Sequence, residues 1–398
     1  MINLAERALN ISPSPTLAID AKAKKMMANG LDVVNFGVGE PDFDTPTHIK
    51  QAAVKALDNG MTKYTPVAGT DALKAAIIKK FKEDNGLEYL PSQIVVSAGA
   101  KHSLYNAFQV LCGEGDEVIL PAPYWVSYLE QIKLARGIPV VIQTKASNQF
   151  KMTPEELESV ITAKTKLIII NSPSNPTGAM YHRDELEALG QILIRHGITI
   201  ISDEIYEKLI YDGNQHCSIA SISPELKEQT VVINGVSKSY AMTGWRIGYA
   251  AAPQAVAKAM ADLQSHSTSN PTSIAQAASV AALEGPQEPL MEMVAEFNRR
   301  RDYMLDRVNA IPGLSCAKPG GAFYLFPDMS PYIGREYNGQ KITGAKEIAD
   351  ILLDDAQVAV VPGVAFGDDR YFRLSYATSM ERIVEGLDRL EKLLSEIR

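Results

Sequence analysis

The sequence predicts an α/β protein, with a larger domain on a mostly parallel seven-stranded sheet and a smaller α+β domain beside it. Three observations carry this reading. Short β-branched runs alternate with helical segments from Ile94 to Ala251, the runs are nearly continuous in apolar residues, and the texture changes after Gly285-Pro286. Strands that are apolar on both faces and separated by helices belong to parallel sheets covered on both sides. At 398 residues the chain is long enough for two such cores.

Taken in order, Ser14-Pro15 reads as an N-cap with proline at the first helical position, opening a helix to about Met27. The strands of the larger sheet are read at Ile94–Val96, Val118–Leu120, Val140–Ile142, Leu167–Ile170, Ile198–Ile201, Val231–Ile233 and Ile247–Ala251. Between two of them, Arg183–His196 places Leu186, Leu189 and Leu193 at helical spacing and is closed by Gly197. A long amphipathic helix is expected from Pro289 to about Ala310, with Arg299-Arg300-Arg301 on a solvated face. Shorter strands follow at Ala322–Phe326, Val358–Val361 and Tyr371–Ser375. The expected division is 48–285 for the larger domain, with 1–47 and 286–398 forming the smaller.

Composition narrows the function. A net charge of -8 and an acidic pI disfavour a nucleic-acid partner, which would need a basic face. Cys112, Cys217 and Cys316 are odd in number and far apart, which fits a reducing cytoplasm and makes neither a disulfide framework nor a zinc motif. The N-terminus has no apolar signal core and no run reaches membrane-spanning length. The histidines make no ligand pair, so no metal is expected. Gly37-Val-Gly39 continues as Glu-Pro-Asp, which breaks the dinucleotide-binding fingerprint.

In open parallel sheets, ligands bind outside the carboxyl ends of the strands. Residues just past the predicted strands form an unusual set: Gly99-Ala100-Lys101, Trp125, Asn175, Asp203 with Tyr206, and Lys238, with Arg246 ahead of the last strand. A lysine amine suits Schiff-base chemistry, and an arginine fork suits a phosphate. Together they suggest pyridoxal 5'-phosphate (PLP). The helix opening at Gly99-Ala100-Lys101 can serve its phosphate, Trp125 can stack on its ring, and Asp203 can pair the ring nitrogen. Asn175 and Tyr206 can donate to its phenolate oxygen. Singly, each admits a plainer role: Asn175 an Asx turn, Trp125 core packing, Asp203 a helix cap. Their coincidence at successive strand ends is not required by packing.

With the loop Gly39–Pro46, Lys63-Tyr64, Tyr124-Trp125, Asn171–Gly178, Ser202–Tyr206, Ser237–Tyr249 and Arg373–Ala377, the chain resembles the class I/II aminotransferases of PLP fold-type I along nearly its whole length. It is most similar to the bacterial aspartate-specific subgroup. The resemblance implies a PLP transferase that moves the amino group of L-aspartate to 2-oxoglutarate by a ping-pong route. It implies that Lys238 is the Schiff-base lysine and proton shuttle, with Asp203 and Tyr206 beside it. Arg246 and the Gly99–Lys101 turn would hold the phosphate, and Tyr64 would reach it from the neighbouring subunit of a homodimer. Arg373 would clamp the substrate α-carboxylate, helped by Asn175, Trp125 and Gly39. Lys101 and the segment around Thr16 would read the distal carboxylate. One departure stands out: Gly235, three residues before Lys238, replaces a phosphate-binding serine of some relatives, and the serine here is Ser237. Rival readings are the same scaffold with aromatic, prephenate or alanine specificity, a β-lyase, and a non-catalytic PLP-binding regulator.

Overall fold

The computed structural model describes residues 2–398. Its strands in chain order are β1 (Val34–Asn35), β2 (Ile94–Ser97), β3 (Glu117–Ala122), β4 (Ile138–Gln143), β5 (Thr165–Asn171), β6 (Thr199–Asp203) and β7 (Thr230–Gly235). They continue as β8 (Gly248–Ala251), β9 (Tyr324–Leu325), β10 (Glu336–Tyr337), β11 (Gln340–Lys341), β12 (Val358–Ala359), β13 (Val361–Pro362) and β14 (Phe372–Ser375). Seven of them form one sheet in the order β2-β8-β7-β6-β5-β3-β4, parallel throughout except for β8.

Successive residues of a strand face opposite sides of its sheet. Val118, Leu120, Leu167, Ile169 and Ile201 pack with Leu104 and Phe108 on one side. Ile119, Ile168, Ile170 and Ile200 pack with Leu186, Leu189 and Leu193 on the other. Both faces are covered, which is why the runs are apolar without alternation. The parallel strands all end at one edge of the sheet. Because β8 runs the other way it starts at that edge, and this brings Arg246 there too.

The helix Arg183–His196 ends as expected, with Gly197 left-handed at φ 64°. The helix Pro15–Ala28 also forms, but the Ser14 side chain does not cap it; its hydroxyl lies 2.9 Å from Thr16 Oγ1. Among the described residues, no helix is long and apolar enough to cross a membrane.

Two expectations are corrected. The run Val358–Val361 is not one strand: β12 pairs with β1 in parallel, whereas β13 pairs antiparallel with β14, which also pairs with β9. The N-terminal segment takes the first half of the run, and this carries Gly37 and Gly39 to the side of β14. The second correction concerns the arginine run in the helix Glu288–Ala310. Only Arg299 lies on the surface. Arg300 pairs with Asp42 at 2.7 Å, and Arg301 is 0% exposed, bound to Asp212, Asp302 and the Pro319 carbonyl. Consecutive helical residues are turned by about 100°, so three in a row cannot share one face.

Candidate active site

The strand-end residues converge on a cavity of about 790 Å³. Ala100, Lys101, Trp125, Asn175, Asp203, Tyr206, Lys238 and Arg246 line it, and Thr16, Gly39 and Arg373, from outside the seven-stranded sheet, complete the lining. Gly99 sits beside Ala100 as the N-cap of the helix Ala100–Leu111. Tyr64 stands apart: its side chain is 91% exposed and does not line this cavity.

Lys238 follows the carboxyl end of β7, and its Nζ donates to the Gly39 carbonyl at 2.5 Å. Burial lowers its ammonium to about 8; Glu40 opposes the shift, and Arg373, Arg246 and Lys101 add to it. A lysine near 8 supplies a substantial neutral fraction at physiological pH, which a nucleophile or general base requires.

Asp203 ends β6 and is 3% exposed. Its Oδ2 accepts from the Tyr128 hydroxyl at 2.6 Å and its Oδ1 from the Ile205 amide at 3.2 Å. Burial raises its pKa to about 6, and those two donors limit the rise. A cationic ring nitrogen placed here would restore the carboxylate, since an opposite charge nearby favours the ionised form. Tyr206 belongs to the turn that follows β6, and its hydroxyl lies 2.9 Å from that of Tyr324.

The glycines and Arg246 form a cradle. Gly99 has φ 91°, and a Cβ there would collide with the Arg246 guanidinium. A Cβ on Gly248 would collide with the backbone at Gly99 and Ala100. The guanidinium donates to the Thr243 carbonyl at 2.8 Å and the Ala98 carbonyl at 3.2 Å. It therefore lies against a helix N-terminus whose first N–H groups the helix itself leaves free. This concentration of donors suits an anion with several oxygens. Gly235 is closely packed, since a Cβ there would lie 3.0 Å from Gly248 Cα and the Ile247 carbonyl. Ser237 lines the cavity.

Arg373, on β14, is 2% exposed. Its Nη1 donates to Asn175 Oδ1 at 2.9 Å, its Nη2 to the Gly37 carbonyl at 2.9 Å, and it lies over the Tyr324 ring at 4.3 Å. Its Nε is buried without a hydrogen-bond partner. Burial lowers its pKa, although Tyr324 and Tyr206 oppose that. Lys101 is in the first turn of its helix, with Nζ 4.8 Å from the centre of the Trp125 ring. Burial, then Arg246, lowers its pKa.

Three contributors are not apparent from the strand-end pattern. Tyr128 lies three residues beyond Trp125 beside the same helix, a spacing that points to it. Asn171 holds the Asn175 amide through Oδ1 at 2.9 Å, and its Nδ2 donates to the Asp203 carbonyl at 3.0 Å. It opens the Asn171–Gly178 stretch, so its position carries some signal. Tyr324 has no sequence signal at all.

A depressed lysine, a buried carboxylate, an anion cradle and a facing arginine define an enzyme that works on amines and carboxylates. The chain matches the Aminotransferase class I and II family over residues 31–390. It is 54% identical over 396 residues to an aspartate aminotransferase of Geobacillus stearothermophilus, covering 99% of each chain. It is 47% identical over 397 residues to an aspartate/prephenate aminotransferase of Nitrosomonas europaea, covering 99% of this chain and 100% of the relative. The crystal structure of the aspartate aminotransferase from Rhizobium meliloti superposes with a TM-score of 0.97 at 46% identity, over 100% of both chains. The chain belongs to the class I and II aminotransferase family.

Proposed function

We propose that this enzyme is a PLP-dependent aspartate aminotransferase, moving the amino group of L-aspartate to 2-oxoglutarate in two half-reactions. One observation carries the reading: Lys238 lines a cavity together with Asp203 and the Arg246 cradle at the sheet edge that forms its floor, and with Arg373 of β14 on its wall. The 54% identity to an aspartate aminotransferase supports the substrate.

The residues fit PLP by the chemistry of their donors. The cradle that excludes side chains at Gly99 and Gly248 offers Arg246 and helix amides to a phosphate. Asp203, near 6 in isolation, gains its charge back beside a protonated ring nitrogen. Trp125 supplies a flat face, and Asn175 and Tyr206 supply donors for the phenolate oxygen. Bound there, PLP supplies an electron sink for the bond that breaks at the substrate Cα.

The remaining steps belong to the chain. Arg373 takes the α-carboxylate of the amino acid, with Asn175, Trp125 and Gly39 beside it, and the unpartnered Nε marks donor capacity still free. Lys238 takes the proton from Cα and returns one later, a task suited to a pKa near 8. Lys101 and the segment around Thr16 read the distal carboxylate. Tyr64, exposed on its own chain, reaches the phosphate of a second copy in a homodimer. In this reading 1–47 and 286–398 form the smaller domain, 48–285 the larger, and the protein works in the cytoplasm.

The test is direct. Purified protein loaded with PLP changes its visible absorbance on addition of L-aspartate, and recovers with 2-oxoglutarate while oxaloacetate and glutamate appear. An acceptor panel in which neutral or aromatic keto acids far outpace 2-oxoglutarate would overturn the substrate. Activity toward prephenate in addition is a second reading, favoured by the 47% identity to the aspartate/prephenate relative.

A further inference from the structure

The end of β6 and the turn that follows it, residues 203–207, have two sides. Asp203, Ile205 and Tyr206 line the cavity. Glu204 and Glu207 point into the protein instead, 1% and 5% exposed. Glu204 Oε1 accepts from the Ser202 hydroxyl at 2.8 Å and the Ser218 hydroxyl at 2.6 Å, and its Oε2 lies 3.0 Å from His216 Nε2. Glu207 is ion-paired with Lys80 and accepts from Asn85 Nδ2 at 3.0 Å. Lys80 also donates to Asn85 Oδ1 at 2.7 Å. Lys80 and Asn85 belong to the helix Asp71–Asn85, so the turn is tied to a separate element.

Burying carboxylates is costly, and apolar side chains of similar volume would fill this space without that cost. What charged pairs add is direction, since ion pairs and hydrogen bonds fix a backbone against sliding and rotation where apolar contacts do not. Glu204 and Glu207 are interspersed with the residues that face the cavity. Glu204 directly follows Asp203, and Glu207 directly follows Tyr206. One oxygen of each glutamate and a His216 nitrogen lie within 4.8 Å of one another, and Lys80 pairs with Glu207. Lys80 holds Glu207 near 2 against its burial. Glu204 and Glu207 raise His216 against its burial.

We propose that the Lys80–Glu207 and His216–Glu204 pairs are positioning groups, which hold the turn so that Asp203 and Tyr206 meet the cofactor in register. The proposal rests on the reading that PLP occupies the cavity. None of these four residues touches the cavity itself.

Two variants test it. Glu207→Gln keeps size and an acceptor for Asn85 while removing the counterion of Lys80. The double variant Lys80→Met with Glu207→Leu removes both charges, so no buried ion is left alone. Each is titrated with PLP, and the visible band of the bound cofactor is followed against pH. We expect PLP affinity to fall roughly tenfold or more, the size typical of losing a supporting partner behind a ligand-binding group. The pH midpoint of the band should move and kcat should fall, while KM for aspartate stays near parental because Arg373 is untouched. Wild-type affinity and midpoint in the folded variants would overturn the proposal. Failure of both variants to fold would also overturn it, since the cluster would then serve folding alone. If Glu207→Gln alone fails to fold, the double variant decides. A parental protein that binds no PLP would overturn the cofactor reading and the proposal with it.

Discussion

The floor and the wall of the cavity are built on different plans. The floor is one sheet edge: Ala100, Asn175, Asp203 and Lys238 each lie at or just past the end of a strand of the same seven-stranded sheet, and Arg246 precedes its reversed strand. The wall joins the two ends of the chain, since Arg373 donates to the carbonyl of Gly37 across 336 residues of sequence. That wall exists because β1 pairs with β12 and β14 lies between β13 and β9. On the floor, Asp203 is held by the Tyr128 hydroxyl and the Ile205 amide. Arg373 instead donates to Asn175 and Gly37, both at the cavity, and keeps its Nε for an arriving carboxylate. Floor residues should therefore govern chemistry, and wall residues substrate affinity.

The largest effect expected from this division is that of Asp203→Asn. It should keep PLP but lose roughly a thousandfold or more in kcat, because a neutral amide cannot hold the ring nitrogen protonated. A loss appearing in KM alone would contradict the floor's role. Arg373→Ala should cost kcat/KM about a hundredfold for every amino acid, through an unpaired carboxylate, with cofactor absorbance unchanged. Altered cofactor absorbance there would show that the two regions are not separable.

Lys101 lies between the two plans, and its variant decides to which it belongs. Lys101→Ser should cost aspartate and 2-oxoglutarate about 2–3 kcal/mol while sparing alanine and phenylalanine. Equal loss across all substrates, with weaker PLP binding, would assign Lys101 to the floor. A final and smaller effect concerns the cofactor-free protein. Asp203 titrates near 6 when folded, against 3.8 for an ordinary aspartate, so between those values only the native state holds the proton. Stability from this group is present below 3.8 and lost as pH rises through 6, by about 2–3 kcal/mol in all. Chemical denaturation of cofactor-free wild type and Asp203→Asn at pH 4 and pH 7 should show this extra fall only in the wild type.

The same contrast governs what the sequence could reveal. Lys238, Asp203 and Asn175 are legible because a parallel sheet puts the residue after each strand at one edge, so local pattern implies a shared site. Gly37 and Tyr324 reach Arg373 only through long-range pairing that no local period encodes. The splitting of Val358–Val361 between two sheets is invisible for the same reason: the run reads as one strand until β1 claims its first half. Arg300 and Arg301 read as solvated because a run of like charges usually is. Their partners Asp42 and Asp212 lie far away in sequence. Tyr64 is exposed within its own chain, so its role can be decided only in an assembly.

Everything on the floor turns on Lys238 being the amine that engages the cofactor. Borohydride reduction of PLP-loaded protein, followed by proteolysis and mass spectrometry, identifies that amine. One pyridoxyl label is expected, on the peptide carrying Lys238, and none in Lys238→Ala. A label on Lys101 or any other lysine would contradict the assignment.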